Sequence, residues 1–183
     1  MIYELLPPTD TRVLSSIAPF DIDVFKKEEK IELKEFVDNM FETMTKYGGI
    51  GLSSNQVGKP YRMFVMGSHS AIHKGKKWAC INPTIVSASK QTTRLKEGCL
   101  TYPFLFLSIV RPRKCVVKYT DENGDLKEGQ LDGMISRIFQ HEYEHMLGRN
   151  FTEHASKMKL DMAEKKAKKM WTLVQKRNEK ANK

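Results

Sequence analysis

Cysteine is scarce in this chain, with three among 183 residues, at Cys80, Cys99 and Cys115. An odd number with no paired spacing argues against a disulfide framework and fits a reducing compartment. Long apolar runs are missing too, and none approaches the roughly 20 residues that cross a bilayer, so the sequence predicts no membrane span. The opening MIYELLPPTD lacks both the basic n-region and the apolar h-region of a secretory signal. These features predict a cytoplasmic protein, with an organelle left open if a transit peptide has been removed. Internal repeats and low-complexity linkers are absent, and 40% hydrophobic content over this length suits one domain with one substantial core.

Acidic residues are in deficit, 22 against 31 Lys and Arg, for a net charge of +9. The imbalance sits at one end: residues 155–183 hold ten Lys/Arg and three Asp/Glu, a net of +7, leaving +2 for residues 1–154. Within that segment Leu160, Ala163, Ala167, Met170, Trp171 and Val174 recur at helical spacing. It reads as an amphipathic helix with one docking stripe and a basic outer face. The chain therefore divides into a main domain, residues 1–154, and a basic C-terminal helix, residues 155–183. That outer face is either simply solvated or an RNA-docking surface.

The most informative segment that is present runs Gln140-His141-Glu142-Tyr143-Glu144-His145. Side chains four apart share one helix face, so His141 and His145 can present two imidazoles to one metal ion. Glu142, about 100° round the helix, can reach a metal-bound water without being a ligand. Met134, Ile135, Ile138, Phe139 and Met146 step by three and four, which makes this an amphipathic helix whose apolar stripe runs beside the histidines. A third ligand is needed. The metzincin spacing is partly met by Gly148, but Phe151 occupies the ligand slot; the thermolysin-like spacing would choose Glu164, which lies among lysines. Cys99 upstream is the stronger candidate, because a thiolate binds Zn(II) or Fe(II) tightly.

Three segments, Gly49-Ile50-Gly51-Leu52-Ser53-Ser54-Asn55-Gln56, Glu97-Gly98-Cys99-Leu100-Thr101 and His141 to His145, match in order the motifs G-x-G-L-A-A-x-Q, E-G-C-L-S and H-E-x-D-H. On these the chain resembles the peptide deformylases, from the Leu5–Leu14 opening to about His154. Arg111, twelve residues past Cys99, falls where that family has an arginine. The departures are Ser53-Ser54 for paired alanines, Thr101 for Ser, Glu144 for Asp, and Phe106 in place of a substrate-contacting Arg.

The resemblance implies removal of the N-formyl group from formylmethionyl nascent peptides, with release of formate. It implies one divalent ion on Cys99, His141 and His145, Fe(II) in the cell, with Zn(II), Ni(II) or Co(II) able to substitute. An Fe(II)–thiolate site is expected to be oxygen-sensitive. Glu142 would act as general base and then acid. By resemblance Gln56 and the Leu100 N–H would stabilise the oxyanion, and Glu97 would pair with Arg111 beneath the site. Gly49, Ile50, Gly51, Glu97 and Gly98 are expected along the substrate path, with an apolar methionine pocket near Phe106 and Ile138. Cys80 and Cys115 read as buried apolar thiols, and His69, His73 and His154 as loop or surface residues. Expected partners are formylated peptides and, through the basic helix, the ribosome. DNA and membrane are not expected; a monomer in the cytoplasm of a bacterium or phage-infected cell is. Two alternatives stay open: a zinc endopeptidase with Glu164 as third ligand, and a non-catalytic, metal-stabilised RNA-binding protein.

A first helix is predicted from Glu29 to about Tyr47, ended by Gly48-Gly49. Strands are predicted at Arg62–Met66, Trp78–Ile85 and Thr92–Lys96, with Leu107–Val110, Cys115–Tyr119 and Leu126–Gln130 continuing the sheet through an Asn123-Gly124 hairpin. Asp132 is expected to cap the metal-bearing helix. Strand runs with segregated helices predict an α+β fold, mostly antiparallel sheets around a central metal-binding helix.

Overall fold

The alternating strand runs become seven strands among the described residues, every pair antiparallel. A computed structural model of the chain describes residues 1–181. Five strands form one sheet in the order β1 (Gly51–Ser53), β2 (Met63–Gly67), β3 (Lys77–Ala88), β6 (Lys114–Thr120) and β7 (Leu126–Asp132). The remaining two, β4 (Thr92–Cys99) and β5 (Tyr102–Pro112), pair only with each other. This corrects the expectation of one continuous sheet. A hairpin inserted between β3 and β6 takes the ladder hydrogen bonds of β4 and β5 for itself, so β6 returns to pair with β3.

Four α-helices accompany the sheets: α1 (Ile22–Glu29), α2 (Leu33–Lys46), α3 (Gly133–Met146) and α4 (Lys157–Ala181). The helix predicted from Glu29 in fact begins at Leu33. Lys30 adopts a left-handed conformation (φ 50°) and separates it from α1, which the periodicity missed. With eight residues and Phe25 as its one buried side chain, α1 has no stripe to detect; Asp21 caps it by accepting from the N–H groups of Asp23 and Val24. The apolar face of α2 packs Phe36, Val37, Met40 and Met44 against β1 and β2. The predicted turn after β6 forms, with Gly124 at φ 87° and Asp121 Oδ1 accepting from the N–H groups of Asn123 and Asp125.

Buried on almost every side, α3 sits against the five-stranded sheet through Phe139, Ile138 and Met146. Asp132 occupies its N-cap position but makes no capping hydrogen bond, because its carboxylate pairs with Arg113 at 3.0 Å. The predicted stripe of α4 docks on β5: Leu160, Ala163 and Ala167 pack against Leu105, Leu107 and Ile109. Met170 and Trp171 stay about half exposed, the indole lying 6.0 Å from the Phe104 ring.

Candidate metal centre

Three elements that are remote in sequence meet at one point. The β4 strand ends at Cys99, α3 carries the two histidines, and the short turn Ser54–Val57 after β1 carries Gln56. The candidate ligand atoms of Cys99, His141 and His145 all lie within 4.8 Å of one another, the one such group among the described residues. Cys99 Sγ is 3.4 Å from His145 Nε2. Two ligands spaced tetrahedrally around a Zn(II)-sized ion would be about 3.6 Å apart, close to the spacing of this one pair.

The donor chemistry fits as well. His141 Nδ1 faces Glu97 Oε2 at 3.0 Å, which leaves Nε2 free to coordinate. Burial opposes a charge on His141, yet hydrogen bonding to the Cys99 sulfur and to Glu97 outweighs it and pushes its pKa up to about 10. That pull on a proton is one a metal cation can satisfy instead. His145 is fully buried, and burial, then His141 and Arg111, pull its pKa well down, so the ring stays neutral with one nitrogen lone pair available. Its Nδ1 has no hydrogen-bond partner among the described residues.

Glu142 lies beside the ligand cluster. Its buried carboxylate accepts the Ser53 hydroxyl at 2.6 Å on Oε2 and rests against the Cα of Gly51. Burial raises its pKa, with partial opposition from His141. Gln56 Oε1 accepts the Ser53 N–H at 2.8 Å, and this bond turns Nε2 toward Thr101 Oγ1 (3.0 Å) and Cys99 Sγ (3.3 Å). Gly49 and the Leu100 side chain approach so closely that a methyl on Gly49 would fall 2.7 Å from Leu100 Cδ1. Gly51 opens β1 of the five-stranded sheet and Gly98 lies in β4 of the separate hairpin, so the two glycine segments come from different sheets.

Beneath the cluster runs a polar network that the sequence disclosed only in part. Glu97 Oε1 accepts from Arg111 Nε and Arg137 Nη1, both at 2.7 Å, and Oε2 accepts from Arg111 Nη2 at 3.0 Å as well as His141. Hydrogen bonds from His141 and Arg111 hold the Glu97 carboxyl well below the usual carboxylate range against the opposing effect of burial. Arg111 also binds Glu144 with two hydrogen bonds, at 2.7 and 2.9 Å, and Glu144 reaches His154 at 2.6 Å. The sequence paired Arg111 with Glu97 but missed Arg137, Ser53 and His154 as partners. A charged residue four positions before His141, on a buried helix face, was the available signal for Arg137.

Two substrate-path expectations are corrected. Glu97 is 6% exposed and all its acceptor capacity is taken, so it does not line a substrate path. Ile138 and Phe106 do not form one pocket: Ile138 packs into the core from the buried face of α3, whereas Phe106 lies 51% exposed on β5 against Gly98. Glu164 is exposed on α4 and lies outside the converging group, which removes the zinc-endopeptidase alternative.

The sequence model described as Polypeptide deformylase matches residues 11–161. The chain belongs to the polypeptide deformylase family. A peptide deformylase of Erythrobacter litoralis is 34% identical over 92% of this chain and 97% of its own length. One from Brucella suis is 37% identical over 76% of this chain and 79% of its own. The crystal structure of a peptide deformylase from Legionella pneumophila superposes with a TM-score of 0.81 at 30% identity, covering 95% of this chain and 98% of that one. An Ehrlichia chaffeensis peptide deformylase, solved in complex with actinonin, gives 0.79 at 35% identity over 92% and 97% of the two chains.

As a deformylase-family hydrolase, the protein removes the N-formyl group from formylmethionyl peptides, and the α+β architecture is that of the family. This overturns the non-catalytic RNA-binding alternative. The family is metal-dependent, and Cys99, His141 and His145 form a group that could hold such an ion. None of the described helices is long and apolar enough to cross a membrane.

Proposed function

We propose that Cys99 Sγ and the two imidazole rings of His141 and His145 hold the catalytic ion, Fe(II) in the cell, and that Glu142 handles the proton. The convergence of one sulfur and two ring nitrogens within 4.8 Å carries this reading. When bound, the ion supplies Lewis acidity and brings the pKa of water toward neutrality. Glu142 accepts a proton on its carboxylate and returns it to the departing amine. Burial favours the protonated form, which suits the second half of that task. The Ser53 hydroxyl fixes Oε2, leaving Oε1 to face the reacting groups.

Gln56 Nε2 and the main-chain N–H of Leu100 donate to the oxygen of the formyl carbon as it becomes tetrahedral; one such donor contributes about 3 kcal/mol of transition-state stabilisation. The peptide lies extended between the unpaired edges of β1 and β4, along Gly49, Gly51 and Gly98, which carry no side chain of their own. Residues 1–154 form the catalytic unit. The basic helix after residue 155 offers its outer face to ribosomal RNA, where formylated chains emerge, and the enzyme works as a cytoplasmic monomer.

Formate release from a formyl-Met tripeptide by anaerobically purified, Fe(II)-, Ni(II)- or Co(II)-loaded protein tests the reading. Turnover that disappears in Cys99→Ser and survives in Glu164→Gln supports it; no turnover with any of the three metals refutes it. Ribosome cosedimentation of the full chain against a chain ending at Ala155 tests the docking role, which fails if binding is unchanged.

A further inference from the structure

Cys99 and the two histidines belong to parts of the protein that share no strand pairing. Cys99 ends β4 in the isolated hairpin, while His141 and His145 ride on α3, which is packed on the five-stranded sheet. Something must hold the hairpin in register with the helix, or the sulfur will not meet the imidazoles. Apolar packing of β5 against α4 does not set that register, because it joins the hairpin to a different helix. The direct ties between α3 and the hairpin are polar, and one residue makes the widest span of them.

We propose that Arg137 is a positioning residue for the metal centre, a latch that aligns the Cys99-bearing hairpin with α3. This rests on the assignment of the three ligands given above. Arg137 is 4% exposed, and its guanidinium is spread across both strands of the hairpin. Nη2 donates to the Thr93 carbonyl of β4 at 2.6 Å, and Nη1 donates to the Ile109 carbonyl of β5 at 3.1 Å. Nη1 also donates at 2.7 Å to Glu97 Oε1, whose other oxygen orients His141.

The fork does three things together. It fixes the hairpin by main-chain carbonyls, which cannot rotate away as side chains can. It supplies a second cation to Glu97, so that Arg111 can divide its donors between Glu97 and Glu144. And it stands one helical turn before His141, so the tie acts at the level of the ligands. A lysine has the charge but not the planar fork, and could not reach three acceptors in this geometry.

The test compares the full-length protein with Arg137→Met and Arg137→Lys by Co(II) competition against a chromophoric chelator and by the thiolate-to-Co(II) charge-transfer band. Metal-free melting is recorded alongside. Both variants should bind Co(II) about 10-fold more weakly, the low end of what losing a direct partner of a metal ligand costs, because Arg137 acts on His141 through Glu97. Their charge-transfer band should be weaker or shifted as the sulfur moves off position, with Arg137→Lys nearer the parent. Should Arg137→Met not fold, the Lys variant decides alone. Parental affinity with an unchanged band would overturn the proposal; so would lowered metal-free melting at unchanged affinity, since Arg137 would then be an ordinary core ion pair. Failure of the parent to release formate would count against the deformylase mechanism and leave this comparison intact.

Discussion

Replacing Gly51 by alanine should disable proton transfer while leaving the metal centre loaded. The backbone of Gly51 faces Glu142 so closely that an added methyl would lie 2.8 Å from Glu142 Cδ and 2.9 Å from Cγ, and closer still to Oε1. An ordinary contact begins at 3.4 Å, so Cδ must retreat by about 0.6 Å, and the oxygen by on the order of 1 Å. The Ser53 hydroxyl, bonded to Oε2 at 2.6 Å, cannot keep its geometry through such a shift. A displacement of this size in a reacting group typically lowers the rate about 100-fold, equivalent to about 2.7 kcal/mol of barrier.

None of the three ligand side chains is among the nearest atoms to that methyl, so metal content should stay at one per chain. The assay is formate release with steady-state separation of kcat from KM, alongside metal analysis of the same samples. Gly51→Ala with kcat within threefold of the parent would refute the placement of Glu142 as the proton-handling group. Loss of metal would refute the claim that the base is held independently of the ligands.

Further outcomes follow from the same contacts. Gln56→Leu should retain metal and lose 10²- to 10³-fold in kcat, because the amide aimed at the site by the Ser53 N–H is gone; an unchanged kcat would remove Gln56 from the chemistry. Glu97→Ala strips two buried guanidinium groups of their shared partner and should lower unfolding free energy by about 3–5 kcal/mol in urea titrations, a change under 1 kcal/mol being inconsistent with the network. Tyr61 is held well above its usual pKa by burial and by hydrogen bonds to Glu29 and Glu28. The folded state therefore keeps a proton that the unfolded chain releases near pH 10, and stability should fall as pH rises past that value. Tyr61→Phe should flatten this slope relative to the parent between pH 9 and 11, and identical slopes would contradict the assignment.

Much of the site was legible because its chemistry is local or rigidly spaced. Two histidines four apart needed only helical geometry to be placed together, and Glu142 between them needed no more. Cys99 was legible through its chemistry and motif, not through distance, since 42 residues separate it from His141. The illegible part is what the fold does across sheets. Nothing in residues 92–112 says that their ladder closes on itself, and the consequence, a candidate metal ligand on a detached hairpin, appears only in three dimensions.

The same holds for polar partners. Ser53 reads as a small residue filling space behind glycines, but 89 residues later in the chain Glu142 brings an acceptor to its hydroxyl. Glu97 was misplaced as a substrate contact because a charged residue next to the Gly98-Cys99 segment looks available until its four donors are counted. The eight-residue α1 escaped notice for a different reason, since a single buried phenylalanine leaves no periodicity.

Metal analysis and formate release, measured together on Glu142→Ala, test most directly whether a three-ligand centre works beside a separate proton carrier. The expected result is one ion per chain, held as tightly as in the parent, with formate release below detection. Near-parental turnover by the metal-loaded variant, or a variant that can no longer hold metal, would contradict it.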